Sequence, residues 1–247
     1  MENTLTSRAL FDLEENYKQI REKIARAALE SGRSEKDITF LAATKTVDAE
    51  RINHAIGLGL DAVGENRVQE LLAKFDSLRL EQNGKFCRSE FIGHLQTNKV
   101  RQIIDKVSLI HSVDSLRLAE EISRQAGNHG KTMEILLEVN IGREENKSGV
   151  FPEMVEELAG EISGLPHVKV TGLMAIPPIC ETKSEVREYF SKMRQLFIDI
   201  GSKNIDNISM EHLSMGMSGD FEEAILEGAT TVRIGSSLFG ARDYSKA

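Results

Sequence analysis

Several apolar stretches of this sequence end in a polar residue, and those polar residues are the first candidates for chemistry. They are Lys45, Asn66, His94, Asp114, Asn140, Ser214 and Arg233. Lys45 follows the run FLAAT, where its amine either reaches solvent or lies in a desolvated pocket. Desolvation lowers the pKa of a lysine, and the neutral amine is a nucleophile toward carbonyl groups. The run alone leaves both alternatives open.

Two later segments carry small and hydroxyl residues of the kind that bind phosphate. They are HLSMGMSGDFEEA, with Ser214, Gly216 and Ser218, and VRIGSSLFG, with Gly235, Ser236 and Ser237. Backbone N–H groups surround an anion in such loops, and barrel proteins use the loops after their last two strands for this purpose. The alternative is a pair of polar turns in which Ser218 or Asp220 caps a helix. The two segments together favour a phosphate site.

Arg233 lies inside an apolar stretch, two residues before Gly235. A buried arginine needs a planar partner, which is either a carboxylate or an acceptor on a ligand. A salt bridge to Glu211 or Glu138 is the structural alternative. A reactive lysine opposite a phosphate site indicates a carbonyl compound that carries a phosphate. A sugar phosphate, as in Schiff-base aldolases, and pyridoxal 5′-phosphate (PLP) both fit that description.

The elements that must position these residues alternate between strands and helices. Eight short β-rich runs are separated by amphipathic stretches, and several runs are almost continuously apolar, as strands buried on both faces should be. The runs are Ile38–Lys45, Ala62–Asn66, Arg88–Gly93, Leu109–Val113, Glu134–Asn140, Val168–Ile176, Ile208–Ser214 and Thr231–Gly235. The alternation predicts an α/β fold, a (β/α)8 TIM barrel formed by residues 1–247 as a single domain. No Gly-x-Gly-x-x-Gly motif follows the first run, which disfavours a doubly wound sheet.

An extra helix is predicted before the first strand. Its apolar stripe consists of Leu10, Leu13, Tyr17, Ile20, Ile24 and Ala27. Chemistry in barrels is located at the carboxyl ends of the strands. A barrel therefore places Lys45 at its mouth, and this position favours the desolvated amine over the solvated one.

Composition excludes several classes of protein. The 247 residues include 31 Lys and Arg against 39 Asp and Glu, so the formal net charge is −8 and a nucleic-acid partner is not expected. No stretch approaches the roughly 20 apolar residues that span a bilayer, and the polar N-terminus does not resemble a signal peptide. The two cysteines, Cys87 and Cys180, predict neither a disulfide framework nor a metal site. A cytoplasmic protein without membrane contact is expected.

Eight motifs in order along the whole chain resemble those of the pyridoxal phosphate homeostasis proteins. The motifs are ATK (Ala43–Lys45), GENRVQE (Gly64–Glu70), FIGHLQTNK (Phe91–Lys99), HSVDS (His111–Ser115), EVNIGREENKSG (Glu138–Gly149), GLM (Gly172–Met174), SMGMSGDFEEAI (Ser214–Ile225) and VRIGSSLFG (Val232–Gly240). That family consists of single-domain barrels similar to the N-terminal domain of alanine racemases, which is the fold-type III barrel of PLP proteins. The resemblance implies that PLP is the cofactor.

The same resemblance implies a role for several residues. Lys45 is implied to carry PLP as an aldimine, while Ser214, Gly235 and Ser236 hold the phosphate and Arg233 faces the pyridine nitrogen. Arginine only donates hydrogen bonds, so the ring nitrogen should stay unprotonated and the ring should be a poor electron sink. This expectation suits a carrier better than a catalyst.

The remaining candidates each have a second explanation. Asn66 either contacts the phenolic oxygen or ring face of the cofactor or makes a turn, and His94 either carries protons or bonds a neighbouring loop. Met215 either packs on the cofactor, donates a backbone N–H or fills the core. The loop Gly142–Val150 is charged and carries glycines, so we expect it to be mobile. Lys147 in this loop either takes up free cofactor or is merely solvated. His54 and His111 receive no role.

The leading hypothesis is a PLP-binding carrier that buffers the cofactor and passes it to apo-enzymes, with no catalytic residue assigned and a monomer expected. The alternatives are a weak one-base racemase, a Schiff-base aldolase and a regulatory binding partner. Alanine racemases, as a family, use a tyrosine from a second domain as a second base. The chain ends at Ala247, so that domain is expected to be absent. Tyr17, Tyr189 and Tyr244 lie in helical patterns or in the tail rather than at a strand end.

Overall fold

Eight parallel strands form a closed barrel at the centre of the protein in a computed structural model. The structure describes residues 2–240, with side chains described from residue 8 on. The barrel strands are β1 (Thr39–Ala43), β2 (Ala62–Glu65), β3 (Arg88–Phe91), β4 (Leu109–Val113), β5 (Met133–Val139), β6 (Val168–Ala175), β7 (Ile208–Met217) and β8 (Thr231–Ile234). Every residue of β2, β4 and β8 is buried, because one face of each strand lies against the barrel interior and the other face is covered by helices.

Helices follow the strands and cover the outside of the barrel. They are α1 (Glu2–Glu30), α2 (Ala49–Gly57), α3 (Val68–Phe75), α4 (Val100–Ile103), α5 (Leu116–Asn128), α6 (Val155–Ser163), α7 (Lys183–Ser202), α8 (Phe221–Leu226) and α9 (Ser236–Phe239). Short 3-10 turns occupy Glu35–Asp37, Thr97–Lys99 and Pro152–Met154. Among the helices of residues 2–240, none combines the length and the apolar character needed to cross a bilayer.

The strands are hydrogen-bonded in the closed order β1-β8-β7-β6-β5-β4-β3-β2. All neighbours are parallel, and Ala42 pairs with Ile234 on one side of β1 while Ala43 pairs with Gly64 on the other. The predicted (β/α)8 barrel is confirmed. The strands that carry Lys45, Asn66 and Gly235 at their ends are therefore direct neighbours, with β1 in the middle.

The predicted N-terminal helix is also confirmed. In α1, Leu13, Ile20, Ile24 and Ala27 are buried in the main hydrophobic core, and Leu10 and Tyr17 pack against it. The helix contacts α2, α8 and α9. Tyr244, which the sequence assigned to the tail, lies outside the described residues.

The elements differ from the sequence-based expectations in several places, and three of the differences affect the site or the fold. β1 ends at Ala43, so Lys45 lies in the turn that follows the strand. β7 continues to Met217, three residues beyond the predicted end at Ser214. A two-stranded hairpin, Glu81–Gln82 with Lys85–Phe86, precedes β3 and was not predicted. Turn residues Asn83 and Gly84, both at positive φ, close that hairpin.

Candidate functional site at the carboxyl ends of the strands

The strand order brings most of the sequence-predicted site residues to one side of the barrel mouth. Lys45 follows β1, Gly235 follows β8 and Asn66 follows β2, and these three strands are adjacent. Ser214 lies on β7, which is next to β8. A barrel collects the carboxyl ends of its strands at one rim, and this rim is where barrel proteins bind ligands.

The turn that contains Lys45 is held by side chains of α3. Lys45 is half-buried, and Thr46 after it has φ +64°, a conformation that a β-branched residue rarely adopts. Glu70 Oε2 accepts a hydrogen bond from the Thr46 N–H at 2.7 Å, and the Thr46 hydroxyl donates to the Lys45 carbonyl at 2.6 Å. These bonds fix the backbone on the C-terminal side of Lys45.

A buried charged cluster supports the same turn from beneath. Lys74 Nζ donates to the Thr44 carbonyl at 3.0 Å and lies 2.8 Å from Glu65 Oε1 and 3.2 Å from Glu70 Oε2. Glu65 is 3% exposed, and its second oxygen has no hydrogen-bond partner among the described residues. Burial raises the pKa of Glu65, and the hydrogen bond and charge of Lys74 counteract this effect.

Arg233 is a buried cation at the same rim. It is 4% exposed; one terminal nitrogen donates to Ser214 Oγ at 2.6 Å and the other to the carbonyl of Ala175, the last residue of β6, at 3.0 Å. Within residues 8–240, no carboxylate lies at ion-pair distance from it, so the expected alternative of a salt bridge to Glu211 or Glu138 is not formed. Burial lowers the pKa of Arg233 to about 10, against the opposing charges of Glu138 and Asp220.

Ser214 connects Arg233 to a second buried polar group. Its hydroxyl oxygen lies 3.0 Å from His111 Nδ1, and His111 Nε2 lies 2.7 Å from Glu90 Oε2. His111 and Ser214 are fully buried inside the barrel. The sequence analysis gave His111 no role, and the structure places it in contact with the predicted site. The role of Ser214 in phosphate binding stays a prediction, because its hydroxyl is here engaged by Arg233 and His111.

The two glycine- and serine-rich segments meet, as the phosphate prediction requires. The backbone N–H groups of Gly235 and Ser237 both donate to the Ser218 hydroxyl, at 3.2 and 3.3 Å, and Ser236 lies between them. One oxygen acceptor is thus already held by these donors. A Cβ on Gly235 would lie 3.1 Å from the carbonyl oxygen of Ala43, so glycine allows a close approach to β1 here.

Met215 and Gly216 shape the end of β7. Met215 is fully buried in the core between barrel and helices, so its side chain acts as a core methionine and only its backbone is left for a ligand. The β7–β8 register shifts between Ser214 and Met217, where Gly216 has φ +88°. This bulge lets Ser214 point into the barrel beside Arg233 while Ser218 reaches Gly235.

Asn66 is half-buried, and its Oδ1 atom is buried without a hydrogen-bond partner in the described part of the chain. A Cβ on Gly93 would lie 2.1 Å from the Asn66 carbonyl oxygen, so the backbone of the FIGHLQ segment presses against this residue. Buried amides normally have partners, and an orphaned one at a rim fits a ligand contact.

His94 and Lys147 lie farther out on the surface. His94 is exposed, and its Nδ1 is 3.5 Å from Ser148 Oγ on the loop of residues 142–150. Lys147 is exposed and pairs with Glu144. The side-chain amide of Asn140 bonds the backbone of Glu144 and Lys147 in this loop, whose mobility stays a prediction.

Glu138 is an acidic group of the mouth that sequence reasoning considered only as a salt-bridge partner. It lies on β5, and its Oε2 atom is buried without a partner among the described residues. Burial, followed by the charge of Asp114, raises the pKa of Glu138 to about 7, while Arg233 acts in the opposite direction. In residues 8–240 no group of three or more His, Cys, Asp or Glu side chains is arranged to hold a metal ion.

Comparison with known proteins agrees with the fold and the motifs. The family model for the alanine racemase N-terminal domain matches residues 10–243. The chain is 46% identical over 233 residues to a pyridoxal phosphate homeostasis protein of Aquifex aeolicus (strain VF5), which covers 93% of this chain and 98% of that protein. It is 38% identical over 235 residues to the pyridoxal phosphate homeostasis protein of Escherichia coli (strain K12), and the match covers 95% of this chain and 99% of that protein.

A solved structure leads to the same family. PipY of Synechococcus elongatus PCC7942, determined with PLP bound, superposes with a TM-score of 0.78 at 30% identity, covering 92% of this chain and 100% of that chain. The chain belongs to the alanine racemase N-terminal domain family and, within it, to the pyridoxal phosphate homeostasis proteins.

Proposed function

We propose that this protein binds PLP reversibly at the rim of its barrel and acts in PLP homeostasis as a carrier rather than as a catalyst. The observation that carries the proposal is the buried Arg233 guanidinium, which has no carboxylate partner in the described residues. Arg233 lies on β8, the strand next to β1, and Lys45 follows β1. A guanidinium has five N–H donors, and the bonds to Ser214 and Ala175 use two of them, so donors remain for an acceptor on a ligand. The family name and PLP-bound PipY support PLP as the source of that acceptor.

The residues at the rim fit the cofactor group by group. Lys45 provides an amine for covalent attachment, and Arg233 provides a donor for the pyridine nitrogen. The backbone N–H groups at Gly235 and Ser236 are proposed to hold the phosphate, since the N–H groups of Gly235 and Ser237 already converge on one oxygen. Ser214 is proposed to act beside them through its contact with Arg233, because its hydroxyl is engaged by Arg233 and His111. Asn66 Oδ1, a buried acceptor without a partner in the described residues, suits the phenolic O–H as a donor. Met215 contributes its backbone, and His94 is proposed to act from the edge of the site.

The chemistry of Arg233 explains why we favour a carrier. Bound PLP supplies an aldehyde that condenses reversibly with amines and a ring that stabilises carbanions when its nitrogen is protonated. A pKa of about 10 keeps Arg233 protonated at neutral pH. It therefore only donates hydrogen bonds and keeps the ring nitrogen unprotonated. This favours exchange with other amines over turnover of amino acids.

A borohydride experiment tests the proposed attachment. The purified protein should be yellow, borohydride should bleach it, and peptide mapping should find the label on Lys45. Lys45→Ala should abolish the label, whereas the matched control Lys147→Ala should retain it, because Lys147 is exposed and paired with Glu144. A label mainly on Lys147, or on no lysine, contradicts the proposal.

A weak racemase is the second candidate, and the half-buried lysine at the rim is the observation that favours it. Amino-acid turnover above a Lys45→Ala background separates it from the carrier. Tyr17, which stacks on Phe40, and Tyr189, on α7, do not supply a second base at the rim. We expect the wild type to bind PLP and to show negligible racemisation.

The partners, the oligomeric state and the location of the protein are part of the same proposal. We propose that the recipients of PLP are apo-enzymes that need this cofactor. Measuring the transfer of PLP from the loaded protein to an apo-enzyme tests this proposal. We propose a monomer in which residues 1–247 form one domain. The buried free thiol of Cys87 suits a reducing compartment, and we propose the cytoplasm.

A further inference from the structure

A continuous chain of polar side chains crosses the interior of the barrel and ends at Arg233. Arg88 Nε donates to Glu90 Oε1 at 2.8 Å on β3, and Glu90 Oε2 lies 2.7 Å from His111 Nε2 on β4. His111 Nδ1 lies 3.0 Å from Ser214 Oγ on β7, which accepts from Arg233 on β8 at 2.6 Å. β4 and β7 are not neighbours, so the His111–Ser214 contact spans the barrel.

The positions of the hydrogens in this chain can be assigned from its charges. Burial alone would raise the pKa of Glu90, but the hydrogen bond and charge of His111, followed by the charge and hydrogen bond of Arg88, outweigh it. The contacts with His111 Nε2 and Arg88 Nε and the charge of Arg88 remain when the ring is neutral, so the carboxyl is ionised and only accepts. Burial lowers the pKa of His111 despite Glu90, so the ring is neutral. Its single N–H must then be at Nε2, facing Glu90, and Nδ1 carries a lone pair.

This assignment determines what the Ser214 hydroxyl does. With a lone pair at His111 Nδ1, the hydroxyl donates its one hydrogen to the ring, and its oxygen is left as an acceptor. Arg233 satisfies that acceptor with one terminal nitrogen, and its other terminal nitrogen bonds the Ala175 carbonyl. The guanidinium is therefore held at two points in one plane.

A purely structural role explains this chain poorly. Glu90, His111 and Ser214 are each at most 1% exposed. Apolar residues of similar volume fill barrel interiors at no loss of stability, because buried charged groups must overcome a desolvation penalty. The buried polar side chains of Glu90, His111 and Ser214 are instead joined to one another by hydrogen bonds that end at Arg233.

We propose that Glu90 and His111 are positioning residues for Arg233, acting through Ser214 to fix the guanidinium toward the ring nitrogen of the cofactor. The proposal rests on the proposed function and goes beyond it, because it assigns a role to two residues that do not belong to the proposed site. Ionised Glu90 fixes the His111 tautomer, the tautomer fixes the Ser214 hydroxyl, and the hydroxyl fixes which Arg233 donors remain for the ligand.

A double-mutant cycle on PLP binding tests the proposal. His111→Phe should weaken the equilibrium affinity roughly tenfold, the effect of one charge-assisted hydrogen bond, and shift the visible absorption maximum of bound PLP. His111→Gln, which offers both a donor and an acceptor, should restore most of the affinity. In a Ser214→Ala background, His111→Phe should have no further effect, because its influence passes through the hydroxyl.

His54→Phe is the matched control, since His54 lies on α2 and pairs with Glu14. It should leave affinity and spectrum unchanged. Additive effects of His111→Phe and Ser214→Ala, or wild-type affinity and spectrum in folded His111→Phe, overturn the proposal. A wild type that binds no PLP contradicts the proposed function instead.

The tautomer offers a readout that needs no cofactor. Nitrogen-15 NMR of the apo wild type near neutral pH should show His111 as a neutral ring protonated at Nε2. An imidazolium, or a ring protonated at Nδ1, overturns the proposal, because Ser214 would then no longer donate to the ring. This measurement decides the question even if His111→Phe does not fold.

Discussion

At the scale of single residues, Glu138 shows how one carboxyl group in the barrel mouth makes stability depend on pH. Its pKa is raised from 4.5 to about 7, chiefly by burial and next by Asp114. The native state therefore binds more protons than the unfolded chain between these values. The contribution to stability is fully present below about pH 4.5 and is lost as the pH rises through 7.

We expect Glu138→Gln to stabilise the protein at pH 8 but to change little at pH 5. The neutral amide avoids burying a charge, which corresponds to about 2 kcal/mol after allowance for partial exposure. Urea unfolding at both pH values measures the difference. Glu134→Gln on the same strand is the control, because Glu134 is exposed. An equal change at both pH values would show that ionisation of Glu138 is not responsible.

Residue types were informative where a polar group interrupts an apolar run. The sequence singled out Lys45 and Arg233 in this way, because polar groups in buried strands need partners, and their roles in a site stay predictions. His111 gave the same signal within LIHSV, but its partners are Glu90 on β3 and Ser214 across the barrel. Pairing across the interior depends on register and on the bulge in β7, which sequence spacing does not encode.

At the scale of elements, the turn after β1 depends on α3. Lys74 neutralises Glu65, which is almost fully buried, and also bonds Glu70, whose carboxylate holds Thr46 at positive φ. Thr46 is exposed, and nothing in its own type favours that backbone conformation. The direction of Lys45 is thus set by residues 25 or more positions away in sequence on α3.

Lys74→Met should destabilise the protein by about 3 kcal/mol at pH 8, because it leaves the Glu65 carboxylate buried without its cation. The loss should be smaller at pH 5, since burial raises the pKa of Glu65 and a protonated carboxyl needs no cation. Urea unfolding measures both. The control is Lys74→Met with Glu65→Gln, which should recover much of the stability at pH 8. No recovery would mean that Lys74 acts through other contacts.

The bulge at the end of β7 requires glycine at one of two nearby positions. Gly216 has φ +88°, and a Cβ there would lie 2.4 Å from the Ala224 Cβ on α8, whereas a Cβ on Gly219 would meet nothing within 4 Å. We expect Gly216→Ala to lower the free energy of unfolding by about 2–3 kcal/mol. Gly219→Ala should change it by less than about 0.5 kcal/mol. Similar urea midpoints for the two variants would contradict this account.

Strand and helix positions followed from hydrophobic patterns, while their ends did not. Val155, Leu158, Ala159 and Ile162, which recur at helical spacing, are all buried in α6. The predicted end of β7 at Ser214 is wrong because Gly216 and Met217 continue the strand through a bulge. Periodicity reports which face is buried, whereas a bulge depends on local backbone geometry.

At the scale of the whole molecule, α1 completes the ring of helices around the barrel. The described part of the chain after β8 provides only the four-residue α9, and α1 contacts α9, α8 and α2. Asn16 of α1 also donates to the Leu238 carbonyl on α9 at 3.1 Å. The helix formed by the start of the described chain therefore supports the strand end that carries Gly235 and Ser236.

Burial of one face of α1 predicts a contrast between two of its residues. Ile24 is 0% exposed in the core, whereas Leu29, five residues later on the same helix, is 77% exposed. Ile24→Ala should lower the free energy of unfolding by about 3 kcal/mol, because it removes buried methyl groups and leaves a cavity. Leu29→Ala should change it by less than about 0.5 kcal/mol. Urea unfolding measures both, and equal losses would mean that α1 does not close the barrel through this face.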